Sequence, residues 1–465
     1  MKEEKMIKVK MINGTDADLV DLASHAALIC YQSEAPKLGE KKIDVKGRLF
    51  EVGHHTTLQH SFFTFQIEDI AVGDITFGMH LASPFYNSDQ RSGRYCAKMF
   101  VEPDFGKIEK YVRDYWPSIS EGNMGAVMDY VKKGVDIYHA SIAKATEVAK
   151  KFIKEERPYI NEKALEMNAP KIAQEQMRMF ISVIFPTAFD FTINTTALVA
   201  MWESAWTPAM RYVTDKMKEA LIEKYPDAEF LFNETRRRKS DWSADTSRLS
   251  SLNPHRGIRF KPEVELKNIC EENEYMVPDS SLTHPVDKLH FTPEMMDNSV
   301  SEIKTKIEIS TATMGQDQRH RTVRRSEPYF TGNFYLPPLC RELRLGSEAR
   351  KLMQHWSQIC GSLPGTLAMV LAPYGAMVIY AKSGSYNAIT HEQGKRLCWC
   401  AQEEIYHQGR ELRLQIEKLK GKDNPLLKIF EPPCFREGKC AEGQRYCGRD
   451  IKIRESGDYF PERKV

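Results

Sequence analysis

Arg319, His320, Arg321, Arg324 and Arg325 put five cationic or potentially cationic side chains within seven residues of a 465-residue chain. Guanidinium forks at this density suit phosphate, whose oxygens they bind two at a time. A solvated basic turn has the same composition. The preceding run, Lys306 to Thr313, alternates polar and apolar residues and predicts a half-buried strand, so the cluster falls at a strand end, where loops usually carry function.

Other stations have chemistry of their own. In Gln90-Arg91-Ser92-Gly93-Arg94-Tyr95 a hydroxyl, a flexible glycine and a fork share one turn, a set that suits a phosphomonoester and is also that of an ordinary surface turn. Gly53-His54-His55-Thr56-Thr57-Leu58-Gln59-His60 holds three histidines in a short segment, but without the ligand spacing of a metal site, so polar contacts to a ligand are expected and no metal is assigned. Lys395 to Ile405 reads as helix, with Arg396, Cys400, Glu403 and Glu404 on one face, where an Arg–Glu helical pair is the plain alternative to a site. Cys398 and Cys400 lack redox or zinc spacing, while Cys434, Cys440 and Cys447 could hold zinc with a histidine from elsewhere in the chain, none lying after His407.

These stations need a scaffold, and the length points to two domains or a duplicated one. Lys plus Arg (66) nearly balance Asp plus Glu (64), so no global field favours nucleic acid or membrane, and a small anionic partner is expected. No long apolar run or signal-peptide pattern is present, which predicts a cytoplasmic protein whose ten cysteines are mostly reduced.

Two stretches repeat one order of elements. In the first, a strand over 8–12, a helix over 16–30, a strand over 61–67 and a loop over 78–95 precede helices at 107–115, 124–156 and 163–180, then one from 194 to about 224. In the second, strands over 263–269 and 301–313 precede the basic loop and helices at 346–360 and 391–420. The expected organisation is a first repeat over 1–230, a linker over 231–260 with further proline and serine at 275–285, a second repeat over 261–421, and a Cys- and Pro-rich tail over 422–465 packed on the body.

Together the stations resemble the flavin-dependent thymidylate synthases, marked by an R-H-R triplet, an S-x-R-Y turn, a G-H-x-T segment and an R-x-x-x-x-A-Q-x-E-I helix. The first half has Gly53-His54-x-Thr56, Ser92-Gly93-Arg94-Tyr95, Arg178 and Asn194, but Gly78-Met79-His80 stands where R-H-R belongs and Gln59 where the family has glutamate. The second half has Gln316, Arg319-His320-Arg321, and Arg396 with Ala401, Gln402, Glu404 and Ile405 in register, but lacks the rest. Arg324 and Ser326 depart from the family serine and asparagine. The inventories complement one another.

The resemblance implies an α+β chain of two tandem copies of that fold, an antiparallel or mixed sheet flanked by long helices, forming a homodimer equivalent to a pseudo-tetramer. It implies reductive methylation of dUMP to dTMP with FAD, NADPH and methylenetetrahydrofolate. Gln90, Ser92, Gly93, Arg94, Arg178, Gln316 and Arg396 are expected at dUMP, and His54, Thr56, Asn194, Arg319, His320 and Arg321 at FAD. Arg396, Ser92 and His54 are the expected catalytic groups, with no enzyme nucleophile required. A related flavin- and folate-dependent pyrimidine nucleotide methyl- or hydroxymethyltransferase and a non-catalytic flavin- or nucleotide-binding paralogue are the alternatives.

Overall fold

The computed structural model describes residues 5–82, 86–94, 96, 98–239, 257–270, 302–424, 427–428, 430–440, 446–456 and 460–465. Strands β1 (Lys8–Gly14), β2 (Phe62–Ala71), β3 (Tyr86–Gln90) and β4 (Pro186–Asn194) form one antiparallel sheet in the order β1-β2-β4-β3. Alternation sets its buried face: Phe63, Phe65 and Ile67 on β2 face inward with Phe189, Phe191 and Ile193 on β4.

A second sheet contains β5 (Gly257–Arg259), β6 (Glu263–Cys270), β7 (Glu302–Ser310), β8 (Arg324–Arg325), β9 (Tyr329–Tyr335) and β10 (Ala376–Ser385). Its path is β5-β9-β10-β7-β6, with β8 paired to β10. Without β5 and β8, β6-β7-β10-β9 repeats the order of the first sheet. Where the two meet, Ser182 pairs antiparallel with Pro373, and each stands equally far upstream of its strand's last residue, Asn194 or Ser385. Val183 N donates to Ala372 O at 2.8 Å and Tyr374 N to Ile181 O at 2.8 Å across this junction. One apolar core runs through both sheets.

Helices α1 (Leu19–Ile29), α2 (Phe105–Tyr115), α3 (Glu121–Glu156) and α4 (Glu162–Met177) follow, α3 and α4 opened by Ser120 and Asn161 as N-caps. Gly134 lets α3 lie against the backbone of Phe180, because the Phe180 carbonyl oxygen occupies the place of a Cβ. That contact supports the chain just after Arg178.

Several boundaries differ from the sequence reading. The expected helix from Asn194 divides into α5 (Thr195–Ser204) and α6 (Pro208–Lys224), because Thr207 caps the second and Pro208 opens it. The expected strand over 301–313 stops at Ser310, whose hydroxyl accepts from Thr313 N and starts α7 (Thr311–Asp317), so a helical turn separates β7 from the basic loop. The loop at 78–95 contains β3. Helix α8 (Gly346–Cys360) has the expected bounds, and a short α9 (Gly365–Val370) follows it. The helix expected over 391–420 is α10 (Tyr386–Arg396) and α11 (Glu403–Lys420), separated by a turn over 397–402. The linker includes β5, which pairs parallel with β9, while its part over 240–256 and the segment 275–285 lie outside the described residues.

Candidate functional site

The turn after β3 and the last turn of α4 are drawn together by side chains. Gln174 Nε2 donates to Gly93 O at 2.7 Å, Arg94 Nε is ion-paired with the buried carboxylate of Glu175, and Arg94 N donates to Ser92 Oγ at 3.2 Å. Arg178 lies under them, with its guanidinium carbon 5.1 Å from the Tyr374 ring centre. Gln90 ends β3 immediately before this turn.

The second half reaches the same place. Arg94 Nη2 donates to Cys400 O at 3.0 Å, and Arg178 Nη2 donates to Gln402 Oε1 at 3.2 Å. Gln316 Nε2 donates to the same Gln402 oxygen, and Arg396 Nη2 to the backbone oxygen of Gln316. Gln402 thus joins Arg178 to Gln316. Sequence reasoning missed Glu175 and the bridging role of Gln402, though Glu175 stands one helical turn before Arg178.

The electrostatics are one-sided. Burial pushes Arg396 down to about 10, with Arg94 and Arg319 repelling it and Glu392 and Asp317 opposing. Burial also lowers Arg178, which feels Arg94. Arg94, Arg178 and Arg396 thus meet from both halves through Cys400, Gln402 and Gln316, and Arg178 and Arg396 stay cationic at neutral pH. Arg178 Nε, Arg396 Nε and Gln316 Oε1 are buried without a hydrogen-bond partner. Such groups are costly unless a ligand satisfies them.

The basic loop divides by depth. Arg319 is exposed, whereas His320 is buried with its ring 5.5 Å from that of His391. Burial, reinforced by Arg396, holds His320 well below the ordinary imidazole value, so it is neutral. Arg321 crosses to the first sheet, donating to Asn87 Oδ1 at 2.7 Å and Ser88 O at 2.9 Å with its guanidinium carbon 5.1 Å from the Tyr86 ring centre.

Arg325 is the loop's internal fastener. Its Nη1 donates to His320 O at 2.9 Å and Val323 O at 2.7 Å, and its Nε is paired with buried Asp317 at 2.5 Å. Arg324 instead points outward, 78% exposed, and pairs with Glu302 at 2.7 Å. Exposed pairs contribute about 0–1 kcal/mol. Arg324→Ala is therefore expected to leave thermal stability and ligand binding near wild type, whereas a marked loss of flavin affinity by titration would make Arg324 a ligand contact.

His54 and Thr56 are exposed at the start of a short helical segment, His55–His60, and have no contact with the arginine cluster among the hydrogen bonds described. They lie toward Asn194 instead. Ser61, after that segment, is hydrogen-bonded to Thr195, and Phe62 pairs with Asn194. Asn194 Oδ1 caps α5 by accepting from Ala197 N at 2.8 Å. Its neighbour Ile193 pairs with Tyr86, the residue under Arg321. One sheet end thus links the G-H-x-T segment to the basic loop.

The face-sharing helix expected over 395–405 is replaced by the turn over 397–402, because Leu397 and Trp399 bury themselves against Tyr406, Phe435 and Phe460. Glu403 and Glu404 consequently do not pair with Arg396. Glu404 accepts from Ser310 N, Ser310 Oγ and Thr313 Oγ1, and Glu403 accepts from Tyr335 Oη at 2.7 and 2.9 Å. Burial raises Glu403 to about 8 and Glu404 to about 7. A carboxyl raised on folding favours the folded state while protonated, so this contribution is present at low pH and lost as pH climbs from the unfolded value toward 8. Glu403→Gln is expected to flatten the decline in unfolding free energy between about pH 5 and 8. An unchanged slope in denaturant titrations across that window would show that Glu403 stays ionised.

Residues 11–227 match the family model for thymidylate synthase complementing protein. That segment belongs to this family. The thymidylate synthase complementing match includes His54, Thr56, Gln90, Ser92, Gly93, Arg94, Arg178 and Asn194, and ends before Gln316, Arg319, His320, Arg321 and Arg396. Among solved structures, thymidylate synthase X from Helicobacter pylori with FAD and dUMP is 16% identical, covering 50% of this chain and 100% of that one at a TM-score of 0.29. A UMP/dUMP methylase, PolB, from Streptomyces cacaoi bound with 5-Br dUMP is 17% identical, covering 50% of this chain and 97% of that one at 0.30. No curated protein matches. No helix among the described residues is long and apolar enough to cross a membrane.

Proposed function

We propose that the chain is a flavin-dependent thymidylate synthase that converts dUMP to dTMP with methylenetetrahydrofolate and NADPH, built from two tandem copies of one fold. The observation that carries this reading is the meeting of Arg94, Arg178 and Arg396 from both halves at Cys400, Gln402 and Gln316, where Arg178 Nε, Arg396 Nε and Gln316 Oε1 are buried without partners. The repeated strand order and the Ser182–Pro373 junction support the duplication.

In this reading Ser92, Gly93, Arg94 and Arg178 hold the dUMP phosphate and sugar, with Gln90 at the edge of the turn and Gln316 completing the pocket. Arg396 stabilises charge developing on the pyrimidine ring as carbon 5 becomes nucleophilic. FAD, when bound, supplies hydride transfer. The residues present fit it: Arg319 offers an exposed fork, and Arg321 Nε is buried without a partner. Neutral His320 positions the loop. His54, Thr56 and Asn194 form the opposite wall, and His54 also orients the folate. The working unit is a cytoplasmic homodimer, so exposed His54 and Thr56 meet a second chain's ligand.

Purified protein should hold FAD, seen as a flavin absorption band, and should release tritium from 5-labelled dUMP faster than from UMP or dCMP. A colourless protein that cannot be reconstituted with FAD overturns the proposal, and preference for UMP would move it to a related methyltransferase.

A further inference from the structure

Beyond residue 227, where the family match ends, the chain carries four consecutive cations: Arg236, Arg237, Arg238 and Lys239. A run of like charges is ordinarily solvated. This one is held at three points. Arg238 N donates to the backbone oxygen of Glu203, near the end of α5, at 2.6 Å. Arg237 pairs with Asp215 of α6 at 2.9 Å and sets its guanidinium carbon 4.8 Å from the Trp202 ring centre. Arg236 sets its own guanidinium carbon 4.9 Å from the ring centre of Phe50.

Phe50 joins this run to the G-H-x-T segment. Its ring centre is 5.3 Å from that of His55, and its backbone oxygen lies 2.9 Å from His55 Nε2 and accepts from Gly53 N at 3.2 Å. His54 N donates to Leu49 O, beside it, at 2.7 Å. One aromatic ring therefore separates the Arg236 guanidinium from His55, and residues 51–56, His54 and Thr56 among them, are exposed. The cations divide by function. Arg237 is engaged by Asp215, with Glu234 3.9 Å away, whereas exposed Arg236 and Lys239 form no ion pair among the described residues.

We propose that Arg236 and Lys239 bind the anionic glutamyl tail of the folate whose pterin end His54 orients. Folate carries its carboxylates at the end remote from the carbon it donates, and each further γ-linked glutamate adds another. A site for them belongs at the rim of a pocket, one aromatic ring from the residue that meets the pterin, which is where Arg236 stands. Arg236 offers a carboxylate a planar fork, and Lys239 offers a flexible point charge suited to tails of different length. Both cations are exposed, so the attraction is screened by salt. The assignment rests on the folate role given to His54.

The test measures equilibrium binding of tetrahydrofolate with one and with three glutamates to the full chain loaded with FAD and dUMP. The triglutamate is expected to bind about tenfold more tightly, the scale of two or three exposed charge pairs, and to lose most of that advantage in high salt. The double variant Arg236→Gln, Lys239→Gln should bring the two ligands within about twofold of each other, while Arg324→Gln keeps the advantage. Equal affinities in the parent, or an advantage that survives in the double variant, overturn the proposal. Weakened binding of NADPH but not NADH in the double variant, with folate binding unaltered, also overturns it, because the run would then read the dinucleotide's 2′-phosphate. Turnover of dUMP without any preference for tail length removes the tail site and leaves the thymidylate synthase reading standing. A tail preference lost in the double variant, in a chain that turns over no dUMP, does the reverse. Binding of neither folate overturns both.

Discussion

Replacing Arg396 with alanine is expected to lower turnover of dUMP by about 10²–10³-fold, the cost of removing one preorganised donor from a developing negative charge. The side chain is fixed before any ligand arrives, because its Nη2 donates to the Gln316 backbone oxygen while Nε remains unsatisfied. Its cation persists at neutral pH despite burial, since Glu392 and Asp317 oppose the repulsion from Arg94 and Arg319. The loss should fall mainly on kcat, because the charge it faces grows in the transition state. Arg396→Lys keeps the charge without the planar fork and should recover only part of the rate. Unaltered turnover in Arg396→Ala would remove it from the chemistry. Because Arg94, Arg178, Gln316 and Arg396 meet within one chain, mixing Arg94→Ala and Arg396→Ala chains should restore no activity. Recovery would place the working cluster between chains.

What the sequence disclosed follows the range of the interactions that determine each feature. Helix α8 was legible to the residue because its amphipathic period is local. The division at 397–402 was not, because an apolar cluster contributed by the distant tail holds Leu397 and Trp399 out of the helix. Strands β4 and β10, central to their sheets, escaped the sequence reading even though β4 alternates, with Thr187, Phe189, Phe191 and Ile193 buried and the residues between them more open. The stations at Ser92–Arg94, Gln316, Arg319–Arg321 and Arg396 were visible as residue types, and the structure brings most of them to one place. Gln402 was visible only as one letter of a motif, since its role as a bridge exists only once the two halves are packed. The differing jobs of Arg324 and Arg325 were also illegible: a strand two residues long sends one outward and the other beneath the loop.

Asp317→Asn is expected to destabilise the protein by about 3–5 kcal/mol, the cost of stripping one partner from a buried ion pair. Asp317 is fully buried and accepts from Lys382 Nζ at 2.8 Å and Tyr380 Oη at 2.8 Å while pairing with Arg325. Burial alone raises its pKa, but attraction to Arg325 and Lys382 outweighs this and holds the carboxyl well below the usual value. Its folded pKa is therefore depressed, so its contribution is present above the unfolded value and lost as pH falls through the folded one. The amide leaves Lys382 with Glu392 alone, and Arg325 with only carbonyl acceptors. Since Arg325 fastens His320 and Val323, flavin affinity should fall with stability. A double-mutant cycle with Lys382→Met measures the Asp317–Lys382 coupling, the lysine change by itself leaving both Asp317 and Glu392 without that cation. If Asp317→Asn unfolds within about 0.5 kcal/mol of the parent, as ordinary surface substitutions do, the loop is held from outside by Arg321 and the first sheet, not from beneath.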